Sequence, residues 1–153
     1  MSIKWGVLGT GGIAREFTED LLSHTEMTVS AVGSRDLSKA NAFREGVKGY
    51  GSYEELVHSD VDAIYVATPH QVHCENTLLA LNSGKPVLCE KPFAVNAIQA
   101  KAMAGAAKEN DLLLMEAMWT RYLPHIQRVR ELMNELGEVH NVQADHGQSL
   151  LHI

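Results

Sequence analysis

The sequence predicts an α/β fold, a parallel sheet doubly wound in the order 3-2-1-4-5-6 with helices on both faces. Three observations carry this. Short apolar runs recur along the 153 residues, and segments of helical periodicity stand between them. The runs are apolar rather than alternating, as strands covered on both faces are. A glycine-rich turn, Gly9-Thr10-Gly11-Gly12-Ile13-Ala14, joins the first run to the first helical segment. In doubly wound folds that turn meets a ligand's phosphates.

Taken in order, Ile3 to Leu8 reads as the first strand and Ile13 to Leu22 as the first helix. Met27 to Gly33 is the second strand. Leu37 to Glu45 is a helix with Asp36 as its N-cap. Val47 to Tyr50 is a short third strand. Ser52 and Glu55 form a capping box, which places a helix at Tyr53 to His58. Asp62 to Ala67 is a buried strand ended by Thr68-Pro69, and His70 to Asn82 is a helix stopped at Gly84. Pro86 to Cys89 is a strand, and Asn96 caps a helix that runs to about Asn110. Leu112 to Met115 is the sixth strand. Arg121 to Leu136 is helical, and Val139 to His146 alternates as a strand with no obvious partner in the sheet.

Composition narrows the function. Apolar residues make up 45% and charged residues 21%, as in soluble globular proteins. A net charge of −6 without a basic run argues against nucleic acid and anionic membranes as partners. No apolar stretch approaches transmembrane length. Met1 to Trp5 reads as strand rather than leader, so a cytoplasmic location is expected. Cys74 and Cys89 are not in C-x-x-C spacing and read as reduced thiols.

The glycine turn has the form G-x-G-x-x-A. Gly9 permits the tight turn, Gly11 lets phosphates approach the backbone, and Ala14 keeps helix and strand close. The open end of the sheet then gathers Gly9 to Ala14, Ser34-Arg35, Thr68-Pro69-His70 and Glu90-Lys91 around one crevice. A cofactor with a free ribose 2′-hydroxyl usually meets an acid at the end of the second strand. Here Ser34 and Arg35 stand there, with Lys39 one helical turn on. An arginine fork suits a 2′-phosphate, which favours NADP over NAD. The alternative is a solvated arginine and lysine, with Asp36 only capping a helix. Lys91 could hydrogen-bond a substrate oxygen beside a nicotinamide; the alternative is a surface ion pair with Glu90. His70, His73 and Cys74 lack a third well-placed ligand, so no metal is expected.

Gly-Thr-Gly-Gly-Ile-Ala, Gly33-Ser34-Arg35, Ala67-Thr68-Pro69 with His73, and Glu90-Lys91-Pro92 together resemble the glucose–fructose oxidoreductase, inositol dehydrogenase and MocA family. The run Met115 to Arg121 resembles its branch of dihydrodiol and NADP-linked D-xylose dehydrogenases. The resemblance implies a Rossmann domain at residues 1–120 and NADP-dependent oxidoreduction of a sugar, polyol or diol. It makes Lys91 the catalytic lysine, with Arg35 and Lys39 at the 2′-phosphate, His70 beside the nicotinamide ribose, His73 among the cofactor-binding residues, and a cis Lys91-Pro92 bond. Trp119 corresponds to a pocket-lining tryptophan, with Arg121 beside it in the run; a helix-start aromatic in the core is the other reading of Trp119. Family chains are longer, with a second domain that holds the acid–base group and the homodimer interface. Residues 121–153 are accordingly expected to be a connecting helix and the first strand of that domain. A non-catalytic dinucleotide sensor of the same fold is the alternative function.

Overall fold

The computed structural model describes residues 2–145 and Gly147 and divides into two units, Met1–Met118 and Trp119–Ile153. The first unit is a six-stranded sheet. Its elements are β1 (Lys4–Leu8), α1 (Gly12–His24), β2 (Thr28–Gly33), α2 (Leu37–Asn41), β3 (Lys48–Tyr50) and α3 (Tyr53–Val57), then β4 (Ala63–Val66), α4 (His73–Asn82), β5 (Val87–Cys89), α5 (Ala97–Glu109) and β6 (Leu114–Glu116). All pairings are parallel, in the order β3-β2-β1-β4-β5-β6. That is the predicted doubly wound order.

Central β4 shows why its run is apolar at every position. Ile64 and Val66 pack into one core with Leu56, Leu81 and Met103, while Tyr65 and Ala67 pack into a second with Ala14, Val32 and Phe43. Burying each large aliphatic side chain contributes about 1.5–3 kcal/mol. The β1–β2 register slips between Trp5 and Gly6, which pair with Val29 and Ala31 and leave Ser30 as the extra residue. Val29 and Val32, three apart, therefore share one core. At Gly6 an added Cβ would lie 2.7 Å from Leu56 Cδ2, so α3 sits directly against β1.

The predicted caps form. Asp36 accepts from the Ser38 N–H at 3.0 Å, Ser52 from Glu55 at 3.1 Å and Asn96 from Gln99 at 3.0 Å. Gly84 follows α4 at φ +77°.

Three helices differ from expectation. The α2 helix stops at Asn41 rather than Glu45, because Phe43 turns into the second core and Arg15 caps its carbonyl at 2.7 Å. Residues His70–Val72 form a 3₁₀ turn, and α4 begins only at His73. In the second unit the helix, α6, covers Pro124–Leu132 rather than 121–136 and is flanked by 3₁₀ turns at Trp119–Tyr122 and Met133–Glu135. Pro124 fixes its start: the residue before a proline is held extended, and Leu123 has ψ 136°.

The strand expected at Val139 to His146 is not seen. Residues 139–145 are irregular, and His146 lies outside the described residues. Alternation alone does not make a strand; a ladder needs a neighbour, and among the described residues this stretch pairs with none.

Both cysteines are free thiols. Burial pushes the Cys89 thiol up to about 11 and raises Cys74 as well. Cys89 should stay unreactive toward a disulfide reagent at pH 8 until denaturant is added. Fast modification of Cys89 in the native protein would contradict its burial.

Candidate functional site

The crevice lies where the carboxyl ends of β1, β2, β4 and β5 meet, on either side of the switch point between β1 and β4. At its centre is the glycine turn. Gly9 has φ +112°, and an added Cβ would sit 2.6 Å from the Ala67 carbonyl oxygen. Its N–H donates to Gly33 at 2.9 Å, which ties the turn to β2. Ala14 is fully buried in the second core, so α1 rests close on the sheet. At Gly11 and Gly12 an added Cβ would meet nothing within 4 Å, so the space over the turn is open.

The start of α1 is equipped for an anion. Its N-cap is Gly11, no side chain caps it, and the first turn holds no acidic residue. The first helical N–H groups therefore lack intrahelical acceptors, and the dipole's positive end is not neutralised. This fits a pyrophosphate.

Two lobes open from the turn. The larger, about 600 Å³, is lined by Gly9, Thr10, Gly11, Ser34, Arg35, Asp36, Lys39, Tyr53, Ala67, Thr68 and Pro69. The Ser34 hydroxyl accepts from the Asp36 N–H at 3.2 Å. The Asp36 carboxylate is taken up by its capping role: Oδ1 accepts from the Ser38 N–H and, at 2.6 Å, from the Ser38 hydroxyl. These bonds hold its carboxyl below the usual aspartate range. Lys39 lies 4.0 Å from Asp36 Oδ2 and is well exposed. Arg35 is exposed beside Tyr53. Burial raises the Tyr53 hydroxyl, and the Arg35 guanidinium acts against that shift.

The smaller lobe, about 310 Å³, is lined by Ile13, Thr68, Pro69, His70, His73, Glu90, Lys91 and Pro92. Lys91 and His70 are exposed at its edge. Glu90 is 9% exposed. It does not form the surface ion pair considered for it. Its Oε1 accepts from the Tyr65 hydroxyl at 2.6 Å and its Oε2 from the Lys91 backbone N–H at 3.1 Å. Burial and Glu90 together push the Tyr65 hydroxyl far above an ordinary phenol, so it remains a donor. Tyr65 is itself stacked on Phe17, with centroids 3.9 Å apart. The Lys91-Pro92 bond is cis, as the resemblance implied. Beyond it, the Phe93 N–H donates to Glu116 Oε1 at 2.9 Å. The loop bearing Lys91 is thus fixed from β4 at one end and β6 at the other.

Every predicted crevice residue from Gly9 to Lys91 lines one of these lobes, except Gly12 and Ala14, which belong to the turn between them. Trp119 and Arg121 belong to the second unit, in its first 3₁₀ turn; Trp119 is 62% exposed and Arg121 is also exposed. Sequence reasoning missed Tyr53, Tyr65 and Glu116. The only available signal was their position, a tyrosine just past a cap and acceptors or donors at strand ends. Among the described residues no group of three His, Cys, Asp or Glu side chains is placed to hold a metal ion. No helix among them is long and apolar enough to cross a membrane.

A family model described as an oxidoreductase family with an NAD-binding Rossmann fold matches residues 3–118. The chain belongs to the Gfo/Idh/MocA oxidoreductase family. It is 45% identical to the D-xylose 1-dehydrogenase (NADP(+)) of Hypocrea jecorina, over 94% of this chain and 41% of that protein. It is 40% identical to the trans-1,2-dihydrobenzene-1,2-diol dehydrogenase of Bos taurus, over 100% of this chain and 48% of that one. The chain thus spans about half the length, or less, of the curated Gfo/Idh/MocA relatives it matches. Among solved structures, KijD10, a 3-ketoreductase from Actinomadura kijaniata in complex with TDP-benzene and NADP, superposes with a TM-score of 0.82 at 34% identity. That match covers 88% of this chain and 43% of KijD10.

Proposed function

We propose that this Gfo/Idh/MocA chain holds NADP(H) for a dehydrogenase acting on a sugar, polyol or dihydrodiol-type alcohol. The observation that carries the reading is the pair of lobes meeting at one glycine turn, with Arg35 in one and Lys91 in the other. The turn and the start of α1 would hold the pyrophosphate. Arg35 would grip the 2′-phosphate, and Lys39, loosely paired with Asp36, would add a weaker charge. When bound, the nicotinamide supplies the hydride donor or acceptor. Lys91 donates a hydrogen bond to the substrate oxygen and orients it. Glu90 and Tyr65 keep the backbone under Lys91 in place. Trp119 and Arg121 are substrate contacts in this reading, supported by the dehydrogenase-like run from Met115 to Arg121. The same resemblance supports a homodimeric, cytoplasmic protein. NAD is the second cofactor of this reading: Asp36 stands one residue past Arg35, and both Ser38 bonds of its cap fall on Oδ1, not Oδ2.

Cofactor choice tests the reading. A hydrogen bond between charged groups favours NADPH over NADH by roughly 10- to 150-fold, with salt pulling the value toward the low end. Arg35→Ala should weaken NADPH binding by about that factor and leave NADH nearly unchanged. Calorimetric titration of wild type and variant with both cofactors decides it. Equal wild-type affinity for the two would leave Arg35 a solvated cation.

A further inference from the structure

His73 is 1% exposed, and both of its ring nitrogens face backbone carbonyl oxygens. Nδ1 is 2.8 Å from the Pro92 oxygen and Nε2 is 2.8 Å from the Thr68 oxygen. A carbonyl oxygen only accepts. A neutral imidazole carries one N–H, so in either tautomer one nitrogen lone pair would point at an oxygen lone pair. Turning the ring over replaces both nitrogens by carbons and loses both bonds. Only the doubly protonated ring makes two hydrogen bonds with these partners.

We propose that His73 is held as imidazolium and positions the two walls of the Lys91 lobe against each other. One wall is Thr68-Pro69 at the end of β4, and the other is the loop of Lys91-Pro92 after β5. Asn76, one turn along α4, donates to the Thr68 hydroxyl oxygen at 3.1 Å, so α4 grips Thr68 at two atoms. Among the described residues, the tie from α4 to the Pro92 carbonyl is His73 alone. A buried cation is costly unless compensated. Two carbonyl dipoles provide this directly, and the buried Glu90 carboxylate lines the same lobe. The other charged or titratable groups there, Lys91 and His70, are exposed and screened by water. His73 is thus a positioning residue, its nitrogens occupied by the protein and its charge beneath the lobe.

The charge assignment rests on hydrogen-bond geometry alone. Its consequence for binding rests on the function proposed above, and the test separates the two. Long-range ¹H–¹⁵N NMR of the natural full-length protein near neutral pH reads the ring, with the His73 signals assigned by their loss in His73→Gln. Two nitrogens at protonated-type shifts are expected; one protonated and one bare nitrogen would overturn the assignment. Binding is read with two probes, NADPH and 2′,5′-ADP, which lacks the nicotinamide half. Glutamine reaches only one of the carbonyls with its amide. His73→Gln should therefore weaken NADPH by about 10-fold and leave 2′,5′-ADP essentially unchanged. Equal losses for both probes would make His73 merely structural. Failure of the wild type to bind either probe would overturn the proposed function, while the ¹⁵N shifts would still decide the charge.

Discussion

Lys91→Met lowers kcat by about 100-fold or more in the natural full-length protein, the range of general acid–base effects, and changes NADPH affinity little. The argument is positional. Lys91 is exposed on the smaller lobe, while its neighbour Glu90 is turned inward onto Tyr65 and the Lys91 N–H. The ammonium makes no ion pair among the described residues. Methionine is an unbranched side chain of about the length of the lysine stem and lacks the ammonium, and Lys91 is exposed, so the Glu-Lys-Pro loop should survive. Single-turnover and steady-state rates on a sugar or diol substrate, beside a fluorescence titration of NADPH, give both quantities. A near-normal kcat would remove Lys91 from the chemistry and favour a protein that only senses dinucleotide.

Gly9→Ala is the most damaging single methyl group in the crevice. The backbone there, at φ +112°, is closed to ordinary side chains, and the new Cβ would lie 2.6 Å from the Ala67 carbonyl oxygen, which is backbone. Strain and overpacking together cost about 2–4 kcal/mol. Gly11→Ala differs in kind, because its Cβ meets no protein atom. It should leave stability nearly intact and obstruct the pyrophosphate. Chemical denaturation and NADPH titration of the two variants should therefore separate: Gly9→Ala loses both stability and binding, Gly11→Ala chiefly binding. A Gly9→Ala protein as stable as wild type would show that β1 and β4 can part at this point without cost.

What the sequence disclosed was local. The order of the sheet followed from apolar runs and their spacing, and the glycine turn, Arg35 and Lys91 each stand at a strand's end. The partners that fix them were not legible. Tyr65 meets Glu90 across 25 residues, Phe93 meets Glu116 across 23, and His73 reaches Pro92 across 19. Such contacts depend on which strand lies beside which and on the direction of single side chains. Periodicity carries neither. The early end of α2 was hidden for a similar reason: nothing near Phe43 in the sequence shows that Arg15 reaches its carbonyl. The run from Val139 has a strand's alternation and is irregular over residues 139–145, because alternation specifies a face for a strand but not a neighbour.

Thr68 and Pro69 line both lobes. In the proposed reading, a dinucleotide laid across them would be a chelate. Once its adenosine half is seated, the nicotinamide half is presented to its own lobe at an effective concentration, roughly millimolar, that does not depend on how much ligand is in solution. Each half can then bind weakly by itself while the intact molecule is retained. The larger lobe would then hold the adenosine half whether or not the smaller one is occupied.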